Sequence, residues 1–202
     1  MITNQPLVSI IVNCFNGSNY LFNCLSSIQQ QTYQKFEVIF WDNCSTDNSK
    51  DIFEQFDDNR FLYFNDYSHS KLYHARYKAI SKAKGDLIAF LDVDDLWQPS
   101  KLLSQVLLMR NNPNIGYCYT GFKILNQLNG TLKSAYNNKY LKSGYISRSL
   151  LNRYTVGMLT LMIRKKVIEE NNIKFNVKYN MIGDFDFVIR LSRVTRALVI
   201  PE

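Results

Sequence analysis

The chain has no glycine-rich phosphate loop: neither G-x-x-x-x-G-K-[ST] nor G-x-G-x-x-G occurs, and its 202 residues include only eight glycines. A P-loop ATPase and a dinucleotide-dependent dehydrogenase are thereby set aside. A nucleotide bound here would need its phosphates held mainly by a metal. Histidine is scarce too, with only His69 and His74. The four cysteines, Cys14, Cys24, Cys44 and Cys118, form no C-x-x-C pair. That spacing argues against a structural zinc site and reads as free thiols in a reducing compartment. No apolar run approaches the roughly 20 residues that span a bilayer. Met1 to Pro6 carry neither the basic nor the apolar stretch of a signal peptide, so a cytoplasmic location is expected.

What is present is ordinary for a globular protein: 46% hydrophobic and 20% charged residues, enough for one core and one domain over residues 1–202. The net charge of +7 is unevenly placed. Residues 1–110 hold 12 acids and 10 bases, whereas 111–202 hold 5 acids and 14 bases. The second half could face nucleic acid, an acidic membrane surface or a phosphorylated substrate. The plain alternative is a solvated, lysine-rich face.

Apolar, β-branched runs alternate with amphipathic stretches in the first half. Leu7–Val12, Phe36–Trp41, Phe61–Phe64 and Asp86–Leu91 read as strands, the first buried on both faces. Tyr20–Gln31, a stretch from Ser45 or Thr46 to Phe56, Leu72–Ala83 and Pro99–Asn111 read as helices. Ser45 or Thr46 is expected to cap the second of these, and Gly85 to close the third. This order predicts an α/β fold with a parallel sheet. Beyond it, Tyr117–Ile124 and Met158–Arg164 read as strands, 126–145 as irregular, and Phe185–Val194 as a helix.

In parallel sheets the site lies at the carboxyl ends of the strands. Three groups fall there. Asp92-Val93-Asp94-Asp95 places three carboxylates after an apolar strand. Unpaired they would repel, and a hard divalent cation such as Mg²⁺ or Mn²⁺ removes that cost while bridging to substrate phosphates. The alternative is a polar strand end entering a turn. Asn13, Phe15, Asn16, Asp42 and Asn43 could stack and hydrogen-bond a base, or serve as turn and core residues. Asp184, at a helix start, is a candidate general base or a partner of the helix dipole.

Taken together, several segments resemble glycosyltransferase family 2. They are Val8-Ser9-Ile10-Ile11-Val12-Asn13-Cys14-Phe15-Asn16, Asp42-Asn43-Cys44-Ser45-Thr46-Asp47, His74-Ala75-Arg76, and Ala83-Lys84-Gly85-Asp86 through Asp92-Val93-Asp94-Asp95. The resemblance is dense over residues 7–110 and returns at Met158–Val167 and Ile182–Leu191. It implies a GT-A fold, a Rossmann-like and mostly parallel sheet flanked by helices. Residues 1–110 would be the nucleotide-sugar half and 111–202 the acceptor half. It also implies inverting transfer of a sugar from a nucleotide-diphosphate donor, commonly a UDP-sugar, to a glycan or lipid-linked saccharide in cell-surface polysaccharide synthesis. Asn13, Phe15, Asn16, Asp42, Asn43, Arg76, Asp92 and Val93 would serve the donor. Asp94, with Asp92, would serve Mn²⁺ or Mg²⁺, Asp184 would be the base, and Asp95 would be structural. Nucleic acid is not an expected partner; peripheral contact with an anionic membrane at its inner face is.

Two substitutions set this chain apart from the family pattern: Asn43 stands where a second aspartate is usual, and Gly183 where many relatives carry glutamate. Relatives usually continue beyond a strand like Ala197–Pro201, so a fragment or a minimal acceptor side is expected from the stop at Glu202. The competing reading is a degenerate GT-A domain that binds nucleotide without turnover. A nucleotidyltransferase ranks lower, because Asn13–Ser18 lacks a basic, glycine-rich loop.

Overall fold

The computed structural model describes residues 5–201; Met1–Asn4 and Glu202 lie outside them. The chain runs β1 (Val8–Cys14), α1 (Ser18–Gln29), β2 (Phe36–Asp42), α2 (Ser49–Phe53), β3 (Phe61–Asn65), α3 (Leu72–Lys82), β4 (Leu87–Phe90) and α4 (Lys101–Asn111). There follow β5 (Tyr117–Thr120), β6 (Lys123–Leu125), β7 (Leu132–Ser134), α5 (Ser147–Asn152), β8 (Met162–Arg164), α6 (Lys165–Glu170), α7 (Gly183–Val194) and β9 (Ala197–Ile200). Seven strands form one sheet in the order β3-β2-β1-β4-β8-β5-β9. Only β8 runs against its neighbours, β4 and β5. The expected parallel sheet is thus present in β1–β4, and the GT-A architecture holds.

Burial explains the layers. Every residue of β1 and β2 is buried, so alternate side chains feed two cores. Ile11, Ile39 and Phe90 pack with Ala75 and Ala79 of α3 and with Phe187, Val188 and Leu191 of α7. Val8, Ile10, Val12 and Phe40 face Leu21, Leu25 and Ile28 of α1 and Leu102 and Val106 of α4. Each such fully buried side chain contributes roughly 2 kcal/mol. Phe187 fixes α7 by stacking on Phe175 at 4.3 Å and meeting Phe90 edge-on at 6.3 Å.

Several local expectations are corrected. α2 begins at Ser49, and no side chain caps it. Ser45 instead bonds the β1 turn, its hydroxyl accepting from the Asn16 amide at 3.0 Å rather than from a helix amide. Gly85 does not close α3, whose end at Ala83 is extended. A Cβ on Gly85 would lie 2.6 Å from the Leu7 carbonyl, so glycine there serves a close backbone crossing. The run Tyr117–Ile124 is two strands broken at Gly121-Phe122, and Met158–Thr160 is a 3-10 turn ahead of β8. Within 126–145, β7 pairs with β6 as a separate hairpin.

Candidate active site

β1, β2 and β4 end side by side, since Cys14 pairs with Asp42 and Ile11 with Phe90. Their following residues therefore share one edge of the sheet, with the N-terminus of α7 beside them. Gly183 is needed for that approach: a Cβ there would sit 2.5 Å from the Tyr73 ring. Tyr73 fills the space a larger residue would take, which accounts for Gly183 ahead of Asp184.

One guanidinium organises the centre. Arg76, projecting from α3 and 1% exposed, donates through Nη2 to both oxygens of Asp92 at 2.5 and 2.7 Å. Its Nη1 donates to Asp184 Oδ1. Burial opposes the Arg76 charge, but Asp92 and Asp184 outweigh it and raise its pKa. Asp184 is raised from the ordinary carboxylate range: burial dominates, Arg76 pulls the other way, and the Asp92 charge adds to the rise. Tyr154 meets the neighbouring Phe185 ring at 5.3 Å, and its buried hydroxyl has no partner among the described residues.

After β4 the chain turns, the Asp95 amide donating to the Asp92 carbonyl at 3.0 Å. Val93 packs on Gly17, where a Cβ would come within 2.9 Å of its methyl group. Asp94 is exposed and makes no hydrogen bond or ion pair within the described residues. Asp95 is pushed up to about 6 by burial, then by the charges of Asp92 and Asp94. No group of three or more His, Cys, Asp or Glu able to hold a metal is found among the described residues. The donor set is therefore open: Asp94 is unengaged, Asp92 is shared with Arg76, and other ligands would have to come from diphosphate and water. That set fits a Mg²⁺- or Mn²⁺-type ion, which commonly binds through one or two carboxylates plus substrate phosphates.

At the ends of β1 and β2 the residues divide sharply. Phe15 is 48% exposed, and the His69 ring lies against it at 4.0 Å. Asn13 is buried, and its Nδ2 has no hydrogen-bond partner among the described residues. The remaining three are engaged in structure. Asn16, in the left-handed region at φ 51°, accepts from the Thr46 amide at 2.8 Å. Asp42 accepts from the Ser45 amide at 2.8 Å and the Tyr63 hydroxyl at 2.6 Å. The Asn43 carboxamide donates to the Ser70 carbonyl at 2.6 Å and accepts from the Ser70 amide at 3.0 Å and hydroxyl at 2.9 Å. His69 Nδ1 lies 3.3 Å from both Asn43 Nδ2 and the Asn43 carbonyl. Asn43 thus pins the segment that delivers His69 onto Phe15. His69 was missed by sequence reasoning, because a lone histidine in a polar loop carries no signal. A separate groove of about 410 Å³, lined by Tyr77, Ile80, Ile168 and Phe175, includes none of these residues.

Known proteins show where the chain belongs. The family model described as glycosyl transferase family 2 matches residues 9–170. TuaG of Bacillus subtilis, a glycosyltransferase named for teichuronic acid biosynthesis, is 31% identical over 166 residues, covering 80% of this chain and 64% of its own length. WfgD of Escherichia coli, a UDP-Glc:α-D-GlcNAc-diphosphoundecaprenol β-1,3-glucosyltransferase, is 31% identical over 171 residues, covering 84% and 64%. The chain thus spans less than two thirds of these relatives. The structure of S. aureus TarS 1–349 in complex with UDP-GlcNAc superposes with a TM-score of 0.80 at 19% identity, over 96% of this chain and 58% of that one. The mannosyltransferase PcManGT of Pyrobaculum calidifontis, in complex with GDP-Man and Mn²⁺, gives 0.71 at 18% identity, over 99% and 56%. The family match covers most of the residues that build both the sheet and its carboxyl edge, and the chain belongs to glycosyltransferase family 2.

Proposed function

We propose that the chain carries the catalytic domain of an inverting glycosyltransferase that moves a sugar from a nucleoside diphosphate, preferably UDP, to a hydroxyl of a glycan or lipid-linked acceptor. The observation that carries this reading is the Arg76 bridge between Asp92 and Asp184. A single buried cation ties Asp92, just beyond the strand that would serve the donor, to the carboxylate that would meet the acceptor. Donor and acceptor sides are then separated by little more than one guanidinium.

The base would lie against Phe15 and His69, with the buried Asn13 supporting the strand end beneath them. Asp94 and Asp92 would hold Mn²⁺ or Mg²⁺ at the diphosphate, where the ion would supply Lewis-acid stabilisation of the leaving group. Asp184 takes the proton from the acceptor hydroxyl as that oxygen attacks the anomeric carbon. The bond to the diphosphate breaks with its electron pair, and an α-linked donor gives a β-linked product. Burial raises the basicity of Asp184, while Arg76 keeps it anionic and oriented. Names among the relatives support a UDP-sugar donor and a polyprenyl-diphosphate acceptor. The test is a donor screen with and without Mn²⁺, followed by product stereochemistry. Tight nucleotide binding without turnover on any acceptor would instead favour a non-catalytic domain.

A further inference from the structure

Between Asp95 and Glu169 the chain contains no acidic residue at all, yet Lys123, Lys133, Lys139, Lys142, Arg148 and Arg153 all lie there and all are exposed. None of the six has an acidic partner among the described residues. The same stretch holds the β6–β7 hairpin, whose strands are exposed throughout. Its apolar residues are largely exposed: Ile124 59%, Leu132 59%, and Leu128, near the tip, 98%. A lone two-stranded ribbon with bare apolar side chains is marginal in water. Exposed apolar residues on a ribbon that also carries Lys123 and Lys133 are complementary to an anionic lipid surface, which buries the former and attracts the latter. Tyr140, set between Lys139 at 5.1 Å and Arg153 at 4.0 Å, adds an aromatic of the kind that favours the headgroup level.

Topology gives the hairpin its relevance. β5 runs parallel to β4, since both oppose β8. The hairpin therefore leaves the sheet at the same edge as Asp92 and Asp94. We propose that the β6–β7 hairpin and the basic surface around it dock this domain on an anionic lipid bilayer, with the tip side chains entering the headgroup region and the carboxyl edge of the sheet facing the membrane. This surface would present the cleft to an acceptor held in the same bilayer, and in that respect alone it rests on the proposed function.

Co-sedimentation with vesicles, without donor or acceptor, tests it separately from transfer. Phosphatidylcholine vesicles carrying about 30% phosphatidylglycerol should bind the chain, and phosphatidylcholine alone should bind it far less. Leu128→Asp should lower partitioning about tenfold, and Lys123→Gln or Lys133→Gln roughly fivefold each. Raising the salt to about 0.5 M should weaken the wild type likewise. Leu128 is almost fully exposed, so an unchanged melting temperature identifies a folded variant. Absence of binding to anionic vesicles, or binding unaffected by these three substitutions, overturns the proposal. So does a hairpin-dependent dimer, or a protein complex abolished by Leu128→Asp, when vesicle binding is absent. In each overturning case, a transfer activity measured on soluble acceptor would leave the functional reading intact.

Discussion

At the residue scale, the Arg76–Asp92–Asp184 triad is the most informative feature, because its removal has a signed consequence. The Arg76 guanidinium holds the Asp184 carboxyl down against burial and the Asp92 charge. Arg76→Gln should move the acidic limb of the kcat profile to higher pH than in the wild type. The base must be deprotonated, and its pKa rises further once the guanidinium is gone. The same change leaves two carboxylates without their counter-charge, and should cost about 3 kcal/mol of stability at neutral pH. A pH–rate series and urea melts read both effects; an unshifted limb would detach Arg76 from Asp184. On the donor side, Phe15→Ala and His69→Ala should each raise the Kd for UDP roughly fivefold, about 1 kcal/mol of lost stacking, measured by calorimetry. The sequence marked Asn13, Phe15, Asp92, Asp94 and Asp184 through strand ends and one helix start. It could not separate Phe15, which is open, from Asn16, Asp42 and Asn43, whose polar groups are engaged by neighbours distant in sequence. Those engagements depend on Thr46, Tyr63 and Ser70, which only the folded backbone brings close.

At the element scale, α4 carries an unusual residue. Lys101 is buried, its Nζ has no hydrogen-bond partner among the described residues, and it stands 3.5 Å above the Trp97 ring. Burial lowers its pKa to about 7. A lysine with a folded pKa below its unfolded value carries fewer protons in the native state over that interval. Stability therefore rises with pH from about 7 towards the ordinary lysine range, and the full cost of burying the charge applies at lower pH. The Trp97 ring offsets part of that cost. Lys101→Met should stabilise the chain by about 2 kcal/mol near pH 6 and by progressively less as pH approaches 10. Chemical denaturation at several pH values decides it, and a gain independent of pH would contradict this account. Elements with strong periodicity, β1, β2, α1 and α7, were legible in the sequence to within a few residues. The caps were not. Ser45 found a tertiary partner that competed with helix capping, and Gly85 answers a backbone crossing seen only when β1 lies beside it. The turn of β8 against the parallel strands has no local signature either, because three residues cannot record direction.

At the scale of the whole molecule, residues 1–110 build the carboxyl edge of β1, β2 and β4, and the later residues add α7 and carry the excess positive charge. One sheet crosses residue 110, with β8, β5 and β9 added beside β4. The relatives extend well beyond the length matched here. An exposed Asp94 beside an engaged Asp92 predicts that Asp94→Asn weakens Mn²⁺-dependent UDP binding by about tenfold. Nucleotide binding without metal should change little, which titration with and without chelator would show. The most direct measurement is sugar transfer by wild type and Asp184→Asn with the donor that binds best. The account predicts that the variant binds that donor within about twofold of wild type while transfer falls by at least about a thousandfold; transfer at the wild-type rate would contradict it.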